Sequence, residues 1–203
     1  MEYKIFENIP FGKIGTVIRG PWFNKKDKQI KEENATQVKI LNWPNLKKIC
    51  EGEDLTIPDT SINISRKYKK DDIYLQKGDI VIPVFPNEGG KNVIYIKKDM
   101  QENYIYSELV FILRITDKSI SSEYLYMLLS SDSFSKYLLE VSKVQSVLRY
   151  RLTNEILENM IIPILYKESM EHLLDEYLDI KKLNEKVKRA NEEFNNKINK
   201  LIK

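Results

Sequence analysis

Three segments of the sequence combine several cations with polar or aromatic side chains and contain almost no carboxylates. Residues 19–31 hold five cations and one acid, residues 66–70 are Arg-Lys-Tyr-Lys-Lys, and residues 143–151 hold three cations and no acid. Lysine and arginine neutralise phosphates, whereas arginine, glutamine, serine and tyrosine can also read base edges. The chemistry that these segments indicate is contact with a nucleic acid.

The residues expected to make such contacts are selected by side-chain type within the three segments. They are Arg19, Lys25, Lys26, Arg66, Tyr68, Lys69, Gln145, Arg149 and Arg151. A single run of charge is more often a solvated loop, and each segment alone favours that interpretation. If the three segments lie on loops of one rigid domain, contact with DNA and a set of solvated loops become equally favoured interpretations.

The residue patterns that support catalysis are missing from the sequence. Glu88-Gly-Gly-Lys91 lacks the spacing of a phosphate-binding loop, and the first acid-x-Lys after Pro58-Asp59 is Asp179-Ile-Lys181, in a helical segment. A nuclease needs its carboxylates and lysine clustered around Mg²⁺. The single histidine, His172, and the single cysteine, Cys50, exclude His-pair and Cys-based metal sites. We therefore expect neither an enzyme nor a bound metal.

The composition is that of a folded protein without a membrane segment. Of 203 residues, 42% are hydrophobic and 31% are charged, and the net charge is only +3. Any surface that attracts nucleic acid must therefore be local. The sequence contains no apolar run of about 18 residues, which a membrane span requires. The N-terminus lacks the apolar core of a signal peptide, so we expect a cytoplasmic protein.

A seven-residue repeat predicts one long helix over residues 166–203. Apolar residues recur at Leu173, Ile180, Val187, Phe194 and Leu201, and the segment contains no glycine or proline. A stripe held at this spacing is the seam of a coiled coil, because it cannot remain solvated. One alternative is a helix that folds back on its own domain. The other is pairing with a second copy or another protein, which we favour because no other long helix is predicted.

Residues 1–165 predict a strand-rich domain with a few helices, which gives an α+β fold overall. Strands are expected at 36–43, 72–75, 80–85, 93–97, 104–115 and 161–165, with a turn at Gly78. Pro83 and Pro86 favour an edge strand or a bulge. Helices are expected at 124–130, 134–143 and 154–160, with N-caps at Ser121–Ser122, Asp132–Ser133 and Thr153.

Six motifs in this order resemble the DNA specificity (S) subunit of type I restriction-modification systems. The motifs are Phe11-Gly-Lys-Ile-Gly-Thr-Val-Ile-Arg-Gly20, Leu75-Gln-Lys-Gly-Asp-Ile-Val-Ile82, the apolar stretch 104–115, the segment 122–131, the basic loop 144–152, and the segment 156–163 that ends at Pro163. The resemblance covers one target-recognition domain and the conserved helix that follows it. The second proline and Glu-Gln pair usual after Pro163 in the family are replaced here.

The resemblance implies a function that residue types alone do not establish. Full-length S subunits carry two recognition domains and dock on methyltransferase (M) and motor-nuclease (R) subunits. The resemblance implies a half-size, non-catalytic S subunit that binds double-stranded DNA and forms a homodimer through residues 166–203. It needs no cofactor of its own, because S-adenosylmethionine belongs to the methyltransferase partner. The alternative is a coiled-coil adaptor or decoy that binds a methyltransferase without reading DNA.

Overall fold

The computed structural model describes residues 4–22, 36–46, 61–64, 74–87, 92–97, 104–143 and 151–201. The chain divides into two compact units. One consists of Ile9–Ile162, and the other combines Met1–Asn8 with Pro163–Lys203. The boundary that we drew from the sequence at residue 165 stays a prediction.

The described residues form nine strands and four longer helices. The strands are β1 (Ile5–Pro10), β2 (Gly15–Arg19), β3 (Thr36–Leu41), β4 (Ser61–Ile64), β5 (Ile80–Pro83), β6 (Ile94–Tyr95), β7 (Tyr104–Tyr106), β8 (Val110–Ile115) and β9 (Ile161–Leu165). The helices are α1 (Ser122–Leu129), α2 (Asp132–Lys143), α3 (Asn154–Glu158) and α4 (Lys167–Leu201). A 3₁₀ turn covers Phe11–Lys13, and a helical turn lies at 43–46. These elements confirm the α+β class with a long C-terminal helix.

The strands of the described residues form three sheets. A four-stranded antiparallel sheet has the order β2-β8-β5-β6, and a three-stranded sheet has the order β4-β3-β7 with β3 and β7 parallel. Strands β1 and β9 pair separately. The residues of β5 and the first four of β8 are all buried, which explains their uninterrupted apolar sequences.

One apolar cluster joins the four-stranded and three-stranded sheets. It contains Leu41, Leu46, Leu75, Val81, Ile94, Ile96, Tyr106, Val110 and Ile112. Every member is at most 6% exposed. Because this cluster draws on both sheets, they form one core within the unit Ile9–Ile162. The candidate site is built from the ends of strands that belong to this core.

The single strand expected at 104–115 is wrong, because the chain forms β7 and β8 in different sheets. The chain turns at Ser107, whose carbonyl accepts the backbone N–H of Val110 at 3.3 Å. Its hydroxyl then accepts the backbone N–H of Leu109 at 3.3 Å. The turn redirects the chain from the sheet of β3 to the sheet of β5.

Strand β5 lies between β8 and β6, but among the described residues Pro83 extends beyond β6 and is paired on one side only, so the edge position expected at Pro83 holds locally. The proline is tolerated because β6 is only two residues long. Its partners are Ile80 and Val81, and Pro83 is paired only with Val110 of β8. The missing N–H of proline therefore breaks no hydrogen bond to β6.

The helix N-caps follow the sequence in two cases out of three. The Ser121 and Thr153 side chains accept the N–H groups of Tyr124 and Ile156, each at 3.3 Å, as expected. The cap of α2 is Ser131, which accepts the N–H of Phe134 at 3.2 Å. Asp132 and Ser133, which we expected to cap this helix, lie inside its first turn.

The long helix α4 is confirmed by a continuous run of 35 residues. At 1.5 Å per residue, its length is about 52 Å. On its apolar stripe, Leu173 is half-buried, whereas Ile180, Val187 and Phe194 are 59%, 52% and 62% exposed. The side chain of Leu201 lies outside the described residues. None of the described helices is long and apolar enough to span a membrane.

Candidate nucleic-acid interface

Several described segments meet at one end of the four-stranded sheet. This end is formed by the last residues of β2 and β5 and the first residues of β8. The antiparallel register places Arg19 opposite Phe111, and Phe111 opposite Ile82. Beyond the paired residues, Val84 donates its N–H to the carbonyl of Leu109 at 2.8 Å. We call this end of the sheet the Arg19 end.

Arg19 is held in place by two contacts while its side chain remains exposed. Its Nε donates to the carbonyl of Glu108 at 3.3 Å, and its guanidinium carbon lies 5.9 Å from the ring centroid of Phe111. A cation over an aromatic face gains roughly 0.5–1 kcal/mol at an exposed site. Phe111 is itself only 1% exposed, so it is a fixed support for the cation.

Gly20 explains how the chain leaves β2 so close to the turn before β8. A Cβ at this position would lie 1.9 Å from the carbonyl oxygen of Ser107. Only glycine permits this approach. The next residues, Pro21 and Trp22, then continue at the Arg19 end, where Trp22 is 67% exposed.

Arg151 belongs to the same end of the sheet through its neighbour. Leu152 donates its backbone N–H to the carbonyl of Val84 at 2.9 Å, and the N–H of Arg151 donates to the carbonyl of Ser142 at 3.2 Å. The Arg151 side chain is exposed. Two expected contact residues that are 132 positions apart in sequence, Arg19 and Arg151, are thus both fixed to the Arg19 end.

Three apolar side chains at this end were not among the residues selected from the sequence. Trp22 is 67% exposed, Leu109 is 47% exposed and Phe85 is 38% exposed. Trp22 was signalled by its position after Gly20-Pro21 in a basic segment. Phe85 and Leu109 carry no such signal, because each adjoins a strand sequence that is otherwise buried. Exposed aromatic side chains beside cations are suited to packing on sugars and bases.

The other expected contact residues lie outside the described residues. These are Lys25, Lys26, Arg66, Tyr68, Lys69, Gln145 and Arg149, and their role stays a prediction. Two of the three segments that contain these residues adjoin the Arg19 end in the sequence. Trp22 is the last described residue before the segment with Lys25 and Lys26, and Arg151 is the first after the segment with Gln145 and Arg149. Residues 66–70 instead come after β4 in the sequence, and β4 is a strand of the three-stranded sheet.

The opposite end of the sheet carries a polar cavity of about 230 Å³, which is lined in part by two residues that bind each other. Asp79 and Arg114 form an ion pair there, with Nε and Oδ1 2.8 Å apart. Gly78 adopts a φ of +92° in the adjoining turn, as expected for the glycine of this turn. Within the described residues, no three His, Cys, Asp or Glu side chains lie close enough to hold a metal.

A tyrosine and a glutamate near this cavity shift each other's ionisation. Tyr95 donates its hydroxyl to Glu123 Oε1 at 2.5 Å. Partial burial, together with this hydrogen bond, raises the pKa of Tyr95 to about 12. Burial acts to raise the pKa of Glu123 as well, but hydrogen bonds from Tyr95, its own backbone, Ser121 and Ser122 outweigh it and lower that pKa. The pair joins β6 to the first turn of α1 and is structural.

Comparison with known proteins shows the fold. No family model and no curated protein matches the chain. Among solved structures, it is similar to the HsdS subunit from Thermoanaerobacter tengcongensis, with a TM-score of 0.56, 15% identity, and coverage of 93% of this chain and 46% of that one. It is also similar to a chain from a study of complex assembly and conformational transition of the type I R-M system, with a TM-score of 0.56, 14% identity, and coverage of 91% and 40%.

These similarities confirm the fold that the sequence motifs implied. They extend over about nine-tenths of this chain, so both the strand-rich part and the long helix are included. The chain spans less than half the length of either structure that it matches.

Proposed function

We propose that this protein is a half-size DNA specificity subunit of a type I restriction-modification system. The observation that carries the proposal is the similarity in fold to an HsdS subunit over 93% of the chain. A second support is independent of that similarity. The sheet register holds Arg19 at one end of a sheet, and the Leu152–Val84 hydrogen bond holds Arg151 at the same end, although both were selected only by residue type.

In this proposal, the Arg19 end faces the DNA duplex. Arg19 and Arg151 contact phosphates or base edges, and the basic segments that adjoin Trp22 and Arg151 add further contacts. Contacts to phosphate set the position of the protein, whereas contacts to bases provide the sequence preference. If about six phosphates are neutralised, log K falls with log salt with a slope of roughly −5.

The protein itself performs no bond chemistry in this proposal. It binds methyltransferase and motor-nuclease subunits and directs them to a DNA site. The methyltransferase carries S-adenosylmethionine and turns the target adenine out of the duplex, as enzymes that modify bases do. The specificity subunit supplies position and orientation.

The half-size chain acts as a homodimer through α4 in this proposal. The exposed stripe of Ile180, Val187 and Phe194 supports a partner helix, because solvated apolar side chains of this size at heptad spacing are unfavourable. Two identical recognition domains related by a two-fold axis would read two identical half-sites. The expected target is therefore a bipartite palindrome with an unread spacer.

Selection of bound duplexes from a random pool, with and without a methyltransferase partner, tests this function. We expect a bipartite palindrome to be enriched. We expect the methyltransferase partner to tighten binding without changing the enriched DNA sequence. Binding to the methyltransferase with no salt-dependent binding to DNA would instead favour an adaptor or decoy. Cleavage of DNA by the purified chain with Mg²⁺ would contradict a non-catalytic role.

A further inference from the structure

Leu109 is an exposed apolar side chain on a backbone that is held by several hydrogen bonds. It is 47% exposed and lies in the turn between β7 and β8, at the Arg19 end. Its N–H donates to the Ser107 hydroxyl at 3.3 Å, and its carbonyl accepts the N–H of Val84 at 2.8 Å. The N–H of Val110 donates to the Ser107 carbonyl at 3.3 Å. The backbone of Leu109 is therefore fixed before a ligand binds, which lowers the entropic cost of a contact.

Two charged side chains adjoin the turn that carries Leu109. Arg19 donates its Nε to the carbonyl of Glu108 at 3.3 Å, so its guanidinium lies beside the residue that precedes Leu109. The bond to Glu108 does not use the terminal nitrogens of Arg19, which are donors suited to guanine. Glu108 is half-buried and adds a carboxylate to the same turn. Because phosphates repel a carboxylate, this turn accommodates the base edges of a duplex better than the backbone.

The base edges of a duplex offer an exposed leucine one apolar group. Thymine carries a C5-methyl group in the major groove, whereas the minor-groove edges present mainly hydrogen-bonding groups. An apolar side chain that covers such polar groups removes their water without replacing their hydrogen bonds, which costs free energy. A leucine side chain against the thymine methyl group instead removes apolar surface of both molecules from water.

We infer that Leu109 is a specificity-determining residue that reads a thymine through its C5-methyl group in the major groove. This inference rests on the proposed function and names one base that the Arg19 end selects. Cytosine lacks the methyl group and presents an amino group that leucine cannot pair, so Leu109 favours thymine over cytosine. Because the Arg19 guanidinium reaches the same turn, the thymine lies within about two base pairs of the nucleotide that Arg19 contacts, at roughly 3.4 Å per step.

Replacement of thymine by uracil tests the contact without changing the protein, so the result does not depend on the stability of a variant. The probe is the duplex that the unmodified chain enriches from the random pool, with each thymine replaced in turn by uracil, which still pairs with adenine. At the thymine that Leu109 reads, uracil should weaken binding by about 4-fold, the effect of one buried methyl group. Leu109→Ala should bind the thymine and uracil duplexes equally, and Leu109→Met should keep the preference. Fluorescence anisotropy measures the dissociation constants.

Ile161→Ala is the matched control, because it removes an apolar side chain of similar exposure, 55%, from β9, outside the four-stranded sheet. This variant should keep the preference for thymine over uracil, and loss of the preference in both alanine variants would reject Leu109 as its source. An enriched duplex in which uracil weakens binding at no position, or weakens it equally in Leu109→Ala, would overturn the inference and leave the proposed specificity function standing. A pool from which no sequence is enriched would overturn both.

Discussion

Asp79 and Arg114 form a bidentate ion pair in which both carboxylate oxygens are used. Nε lies 2.8 Å from Oδ1 and Nη2 lies 2.9 Å from Oδ2. The Asp79 side chain is 1% exposed and also accepts the N–H of Gln76, and the guanidinium also donates to the carbonyl of Tyr74. The pair lies one residue beyond the Ile80–Leu113 partners, so it fixes the turn before β5 to β8.

Removing one partner of this pair is expected to be costly. Asp79→Ala leaves the guanidinium of Arg114 without its carboxylate, and we expect the free energy of unfolding to fall by about 3–5 kcal/mol. Urea denaturation followed by circular dichroism measures the change. Glu140→Ala, at an exposed carboxylate of α2, is the control and should change stability by less than about 1 kcal/mol. Equal effects of the two variants would contradict a structural role for the pair.

The Tyr95–Glu123 hydrogen bond predicts a difference in stability that depends on pH. The folded state lowers the pKa of Glu123, so the contribution of the bond is complete above the unfolded pKa and is lost as pH falls through the folded pKa. Tyr95→Phe should therefore lower the melting temperature at pH 6. The difference from the unmodified protein should shrink as the pH falls below about 4.5. A constant difference down to pH 3 would show that packing, and not this bond, is responsible.

Tyr95 provides a second test of the same contact. Its pKa of about 12 predicts that Tyr95 resists ionisation when phenolate absorbance is followed at alkaline pH in the folded protein, together with Tyr137, whose pKa burial also raises. Because the raised pKa favours the protonated folded state, this stabilisation is present below about pH 10 and is lost as the pH approaches 12. Glu123→Gln should bring the titration of Tyr95 closer to that of the other tyrosines. No change in the titration would exclude Glu123 as a cause of the shift.

The space beside Gly20 at the Arg19 end is too small for a larger side chain. Gly20→Ala places a methyl group 1.9 Å from the Ser107 oxygen, so either β2 or the turn must move. We expect a loss of about 1–3 kcal/mol in the free energy of unfolding, as for other overpacked sites. Gly12→Ala is the control, because its Cβ would lie 3.3 Å from the Glu158 oxygen, where a small shift suffices. A smaller effect at Gly20 than at Gly12 would contradict the close approach.

The parts of the fold that the sequence predicted depend on local physics. The caps at Ser121 and Thr153 and the positive φ at Gly78 are each determined by a few neighbouring residues. The division of 104–115 into two strands could not be predicted. It depends on the pairing of β7 with β3, which includes the hydrogen bond from Ser107 to Leu41, 66 positions away in sequence.

The candidate site shows the same limit. Arg19 and Arg151 were predicted because charge and side-chain type are visible in the sequence. Their placement at one end of a sheet arises from the register of β2, β8 and β5 and from the Leu152–Val84 hydrogen bond. Phe85 and Leu109 were missed because the sequence does not show which apolar residues lie beyond the last strand pairs.

The binding role of the Arg19 end is tested by single alanine substitutions and a control at the other end of the sheet. Arg19→Ala and Arg151→Ala should each weaken binding to duplex DNA. If the lost contact is to phosphate, each should reduce the magnitude of the salt slope by about 1 and weaken binding equally on all sequences. If the lost contact is to a base, discrimination between the selected site and its variants should fall by about 1–3 kcal/mol. Lys118→Ala removes an exposed cation beside the polar cavity and should leave both the affinity for DNA and the salt slope unchanged.

Fluorescence anisotropy at several salt concentrations measures the affinity for DNA and the salt slope together. Loss of affinity in Lys118→Ala equal to that in the two arginine variants would assign binding to diffuse positive charge and would reject the Arg19 end as the interface.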